Sequence, residues 1–153
     1  MLDDFRALDD WLAGLLANIE PAARRRVNRL VAADLRRSQS QRIARQQNPD
    51  GSRYQPRRTD KRMRSKAGAV RRRAMFARLR TNRYLKSWSS ADAADVGFRG
   101  RAAMIAAVHQ AGDDVTENGQ TFRMPKRELL GFTEQELEQL ADLYLRHLAG
   151  ARR

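Results

Sequence analysis

Residues 21–83 carry 21 lysines and arginines against three acidic residues, a net of +18. Residues 1–20 carry a net of −4 and residues 84–153 a net of −1, so the whole formal excess of +13 belongs to the middle of the chain. A stretch so one-sided reads as a basic arm or face, while the two ends read as ordinary globular sequence. The partner such a charge favours is a polyanion or an acidic protein surface. Charge alone says nothing of the fold, which must be read from the apolar pattern.

That pattern is helical at both ends. Phe5, Leu8, Leu12, Leu15, Leu16 and Ile19 recur at steps of three and four, with Trp11 on the flank, and predict an amphipathic helix over 3–18. Asp3 and Asp4 suit the positive end of its dipole, and Gly14 suggests a close helix contact. Pro21 opens a second helix running to about Gln47, with Ala23, Val27, Leu30, Val31 and Leu35 on one stripe. Beyond Leu35 only Ile43 continues it, so the last turns are expected to face solvent or a partner.

Asn48-Pro49-Asp50-Gly51-Ser52 is a turn signal. From there to about residue 73 the chain is rich in arginine and lysine and poor in apolar side chains. It cannot bury enough surface to offset its ordering entropy, and a mobile arm is expected in the unbound protein. Residues 84–88 and 94–98 read as strands of a hairpin, 101–111 as a short helix, 113–120 as a polar loop and 121–125 as an edge strand. Thr133-Glu134-Gln135-Glu136 is a capping box before a last helix striped by Leu137, Leu140, Ala141, Tyr144 and Leu148. The fold class is α+β: an N-terminal helix pair, a basic extended arm, a small antiparallel sheet with a hairpin, a short helix and a capped C-terminal helix. A length of 153 residues with 41% hydrophobic content supports one modest core. The expected organisation is one domain over 1–153, divided into a helical part (1–47), a basic arm (48–73) and an α+β part (74–153).

Little catalytic chemistry is available. The chain has no cysteine, which removes disulfides, thiol nucleophiles and thiolate metal sites together. Its two histidines lack the surroundings of a site. His147 suits the negative end of the last helix, and His109 has neither a nucleophile nor a positioned substrate in view, so a structural or interface role is expected. No Gly-x-Gly-x-x-Gly or Walker loop occurs. No catalytic, cofactor-binding or metal-ligating residue, and no cofactor, is assigned. No apolar run reaches the ~20 residues that span a bilayer, and the acidic Met1-Leu2-Asp3-Asp4 start is unlike a signal peptide. Synthesis in the cytoplasm and no membrane partner are expected.

The basic segment is the main candidate for contact. Arg45, Arg57, Arg58, Lys61, Arg62, Arg64, Lys66, Arg71, Arg72 and Arg73 would present a high positive potential in any conformation. They could neutralise phosphates with counterion release, complement an acidic protein, or simply be solvated. No helix-turn-helix, zinc finger or RNA-recognition aromatic pair supports sequence-specific reading.

The order of segments resembles the phage virion-morphogenesis family, the tail-completion proteins of contractile-tailed phages. Four pieces carry the likeness. They are Arg42-Ile43-Ala44-Arg45-Gln46-Gln47-Asn48-Pro49-Asp50-Gly51-Ser52 with Tyr54, Pro56 and Arg57; Met75-Phe76 with Leu79-Arg80 and Tyr84-Leu85-Lys86; Val96-Gly97-Phe98 with Gly100-Arg101, Ile105-Ala106 and Val108-His109-Gln110-Ala111-Gly112; and Arg127-Glu128-Leu129-Leu130-Gly131-Phe132. Where the family often has Gln-Phe-Gly after the histidine, Ala111 stands here. The approach to Leu-Leu-Gly is also different, Pro125-Lys126-Arg127-Glu128. His109, Gln110, Lys126 and Arg127 are therefore interface candidates at contact loops. The resemblance implies a structural virion protein at the tail and neck, not an enzyme. It further implies a homo-hexameric ring around the DNA path that meets tail tube or sheath and head–tail connector proteins, with packaged DNA as a further contact. The alternative reading is a basic, non-sequence-specific nucleic-acid-binding protein.

Overall fold

The computed structural model describes residues 2–17, 19–57 and 74–150. Eight elements follow in order: α1 (Leu2–Leu16), α2 (Pro21–Arg45), β1 (Leu85–Ser89), β2 (Ala94–Phe98), α3 (Arg101–Ala111), β3 (Asp114–Glu117), β4 (Gln120–Arg123) and α4 (Glu134–Gly150). β1 pairs with β2 and β3 with β4, giving two antiparallel two-stranded sheets in an α+β fold. The chain packs as two compact units. The first is made of residues 1–37, 87–96 and 132–153, the second of 38–86 and 97–131.

The first unit is built on apolar stripes. Val27, Val31 and Leu35, one turn apart on α2, are buried with Leu140 and Tyr144 of α4. Leu12, Leu15, Leu16 and Ile19 pack against this cluster, and Phe5 stacks on Phe132 at 4.9 Å between ring centroids. Gly14 marks no close helix contact; a Cβ there would meet nothing within 4 Å. One polar group enters the core. The Asn28 amide donates to the carbonyls of Ser90 and Ala91 at 3.0 and 3.2 Å and accepts the Tyr144 hydroxyl at 2.6 Å, so burial leaves it satisfied. Burial also pushes the Tyr144 phenol up to about 12. The capping box forms as expected: Glu136 N–H donates to the Thr133 hydroxyl at 3.1 Å and Thr133 N–H to the Glu136 carboxylate at 2.8 Å.

In the second unit the apolar cluster is small: Ile43, Tyr54, Ala106 and Leu129, with Met75, Phe76, Leu79 and Phe98 against it. The end of α2 is not solvent-facing as its composition suggested. Gln39, Arg42 and Ile43 are buried, because the two polar side chains find main-chain partners. Gln39 donates to the Gly131 carbonyl at 2.9 Å and accepts its N–H at 3.2 Å, and Arg42 donates to the same carbonyl at 3.0 Å. Gly131 must be glycine for a steric reason, since a Cβ there would lie 2.5 Å from the Pro49 ring. Residues 48–57, the described start of the expected arm, are held by hydrogen bonds, with Pro49 and Tyr54 buried and most of the other side chains exposed. Asn48 and Ser52 close the turn at 2.8 Å, Gln47 and Arg53 form an isolated bridge, and Tyr54 is buried with its hydroxyl on the Glu128 carbonyl at 3.2 Å.

The expected polar loop before residue 121 contains a strand. β3 and β4 pair from Asp114↔Arg123 to Glu117↔Gln120, around Asn118 and Gly119, both with positive φ (51° and 76°). That is the conformation of a two-residue hairpin turn. The apolar content of β3 is Val115 alone, so no alternation announced it.

Candidate partner-binding site

A cavity of about 370 Å³ opens in the second unit, lined by Arg57, Met75, Phe76, His109, Met124, Pro125 and Arg127. Several local features position these groups. α3 carries His109 to its last turn, where Gly112 at φ 74° closes the helix by donating to the Val108 carbonyl. The Arg127 N–H then donates to the His109 carbonyl at 2.7 Å. Phe76 sits at φ 61°, a strained setting for a non-glycine residue. Its ring stands edge-on to Tyr54 at 5.9 Å and to His109 at 4.8 Å.

Arg127 is the centre of this arrangement. Only 3% of it is exposed. Its guanidinium donates to the Gln55 carbonyl at 2.7 Å, the Pro56 carbonyl at 3.0 Å and His109 Nδ1 at 3.1 Å. Arginine is always a donor, so Nδ1 is the accepting nitrogen and the proton of the neutral ring is on Nε2. Burial, then the Arg127 charge, hold His109 below the usual histidine range, against a hydrogen bond to Pro125 that opposes them. Burial, then the charge of Arg57, lower Arg127 as well. Among the described residues no carboxylate lies within ion-pairing distance of Arg127; the adjacent Glu128 pairs with Lys126. The site is thus an apolar hole with two guanidinium groups at its wall. A neutral imidazole held on both sides has no free nitrogen for proton transfer.

His109, Gln110, Lys126 and Arg127 come together around the 124–131 loop, each in a different setting. Gln110 accepts the N–H groups of Leu129 and Leu130 at 2.8 and 3.0 Å and donates to the Leu130 carbonyl at 2.7 Å. Lys126 is exposed. Arg45 is exposed at the end of α2, and Arg57 lies half-buried at the cavity. Arg58, Lys61, Arg62, Arg64, Lys66, Arg71, Arg72 and Arg73 lie outside the described residues. Sequence reasoning passed over Gln39, Gln46 and Arg42. Gln39, Arg42 and Ile43 continue the Val27-Val31-Leu35 spacing, and that register was the available signal. Gln46 pairs with both main-chain groups of Met75, donating at 2.8 Å and accepting at 2.8 Å. Met75, Phe76, Met124 and Pro125 had no signal as cavity walls.

The model of the phage virion morphogenesis family matches residues 3–149. The chain belongs to this family. Among its relatives, Tail completion protein S of Escherichia phage P2 is 37% identical over 150 residues, 96% of this chain and 99% of that protein. No solved structure matches the chain. Residues 109–112 and 127–131, on which the resemblance partly rested, build one wall of the cavity and the clamped loop beside it. No helix among the described residues is long and apolar enough to cross a membrane.

Proposed function

We propose that this family member is a structural subunit that completes the phage tail, acting at its head-proximal end and in joining tail to head. The observation that carries the reading is the end-to-end likeness to a tail completion protein, unbroken by a domain-sized insertion or deletion. In this reading copies of the chain form a closed ring, a homo-hexamer by analogy with tail necks, around the DNA path. Tail tube or sheath proteins and head–tail connector proteins are its neighbours. The basic segment, including Arg57 and residues 58–73, packs on one of them or on packaged DNA, and His109, Gln110, Lys126 and Arg127 shape the contact loops.

The test is genetic and visual. A phage or prophage lacking this chain is induced, and the lysate is inspected by electron microscopy. Filled heads beside unattached tails, rescued by supplying the chain in trans, is the expected result. Joined, infectious particles without the chain would overturn the reading. Light scattering on nuclease-treated protein tests the ring: a discrete closed multiple of the monomer that survives high salt is expected.

A further inference from the structure

Within the first unit, α2 and α4 share a core and carry opposite charges on their outer faces. Val27, Val31 and Leu35 of α2 are buried in one cluster with Leu140 and Tyr144 of α4, and Tyr144 bonds Asn28 directly at 2.6 Å. Each helix therefore turns its other side to solvent, and the two outer faces point in different directions from the shared core. On α2 the outer face carries Arg25, Arg26 and Arg29, all exposed, and then Leu30 at 44% exposure. Arg37 lies further along but shares its charge with Asp34 at 2.9 Å. On α4, Glu134, Glu138 and Asp142 stand exposed at steps of four, followed by Leu145 at 46% exposure. The acidic row covers two turns, about 12 Å. Arg146, the basic residue beside it, donates its Nε–H to the Asp142 carbonyl at 3.3 Å. A single exposed leucine is ordinary on a protein surface. Here each of two helix faces has one beside three like charges, and the charges of the two faces are opposite in sign.

We infer that the outer face of α2 docks on the outer face of α4 in a second copy of this chain. Arg25, Arg26 and Arg29 meet Glu134, Glu138 and Asp142, and Leu30 and Leu145 form the apolar centre of the contact. Complementary potentials select the partner and fix its register, while like faces repel and exclude the symmetric pairings α2 on α2 and α4 on α4. Because the two faces are different surfaces, the contact is head-to-tail: each copy offers α2 to one neighbour and α4 to the other. It closes into a ring wherever the rotation closes. A DNA backbone would meet the arginines of α2 but be repelled by the acidic row of α4, whereas a second copy uses both faces. The inference rests on the self-association in the proposed function and assigns residues to it.

The experiment measures self-association of the full-length, nuclease-treated chain by sedimentation at one fixed salt concentration, with circular dichroism to check folding. The variants are R26E/R29E, which reverses the α2 face, and E138R/D142R, which reverses the α4 face. All four side chains are exposed, and the changes place acids near the start of α2 and bases in the second half of α4, where the helix dipole favours them. Each variant alone is expected to associate about tenfold more weakly or worse than wild type. An equimolar mixture of the two is expected to recover association, since the reversed α2 of one matches the reversed α4 of the other. Weakening by only one of the variants, or no recovery on mixing, would overturn the inference and give the α2 face another partner, such as DNA. A wild-type oligomer that neither variant weakens would overturn the inference while leaving the ring intact. A wild-type chain that stays monomeric at every concentration would overturn both the inference and self-assembly of the free protein.

Discussion

The two units solve the same problem in opposite ways. The first holds 10 basic and 12 acidic residues and is cored by apolar side chains at helical spacing, with Asn28 as its buried polar group. The second carries a net of +15, and four of its buried residues are polar or charged: Gln39, Arg42, His109 and Arg127. Its irregular stretches are held by side chains that pair with main-chain groups. Gln39 takes both groups of Gly131, Gln46 both of Met75 and Gln110 both of Leu130. Asn48 accepts the Glu128 N–H at 2.9 Å. A loop without secondary structure must place its N–H and C=O groups somewhere, and here glutamine amides act as single-residue strand partners. The difference shows that a highly charged chain folds a second unit by satisfying backbone polarity as well as by burying area.

That contrast makes ordered predictions, each read from urea denaturation of the full chain. The largest loss is expected for Leu129→Ala, a fully buried side chain in the small core of the second unit: about 3 kcal/mol for transfer and cavity together. Gln110→Leu sharpens the comparison. It raises hydrophobicity at nearly constant size, yet strands the Leu129 and Leu130 main-chain groups and is expected to cost about 2 kcal/mol. A neutral or stabilising result would mean that the second unit is held by apolar area after all. Thr133→Ala, which removes the helix cap in the first unit, is expected to cost about 1 kcal/mol.

The next effect is visible only against pH. Because burial and Arg127 lower His109 in the folded chain, the unfolded chain takes up that proton first as pH falls. Stability is then undiminished above about pH 6.5, the range of a free histidine, and declines as pH drops through it. Comparing wild type with H109Q between pH 7.5 and 5.5 should show the decline in wild type and a flatter profile in the variant. Smallest of all, Met104→Ala on the exposed face of α3 should change stability by less than about 0.5 kcal/mol.

The sequence marked out most elements to within two residues, since an amphipathic face, a restart proline and a capping box are local signals. α1, α2, α3 and α4 are all of this kind, and β1 and β2 followed from their aromatic and branched residues. β3 escaped because its side chains are polar, and the buried end of α2 because Gln39 and Arg42 resemble surface residues in composition. Of the cavity, Arg57 was a contact candidate, His109 and Arg127 were interface candidates, and Met75 and Phe76 helped carry the resemblance, while Met124 was read only as a strand residue.

By itself the sequence determined the helices, the family and the concentration of positive charge in the middle of the chain. All three depend on local spacing or on residue order, which survive without coordinates. Only the tertiary structure decided that Arg127 is buried against the carbonyls of Gln55 and Pro56 and that an amide of α2 braces a glycine 92 residues away. Such pairings depend on which backbone groups the packing leaves unsatisfied, and that is a property of the folded chain, with no trace in periodicity.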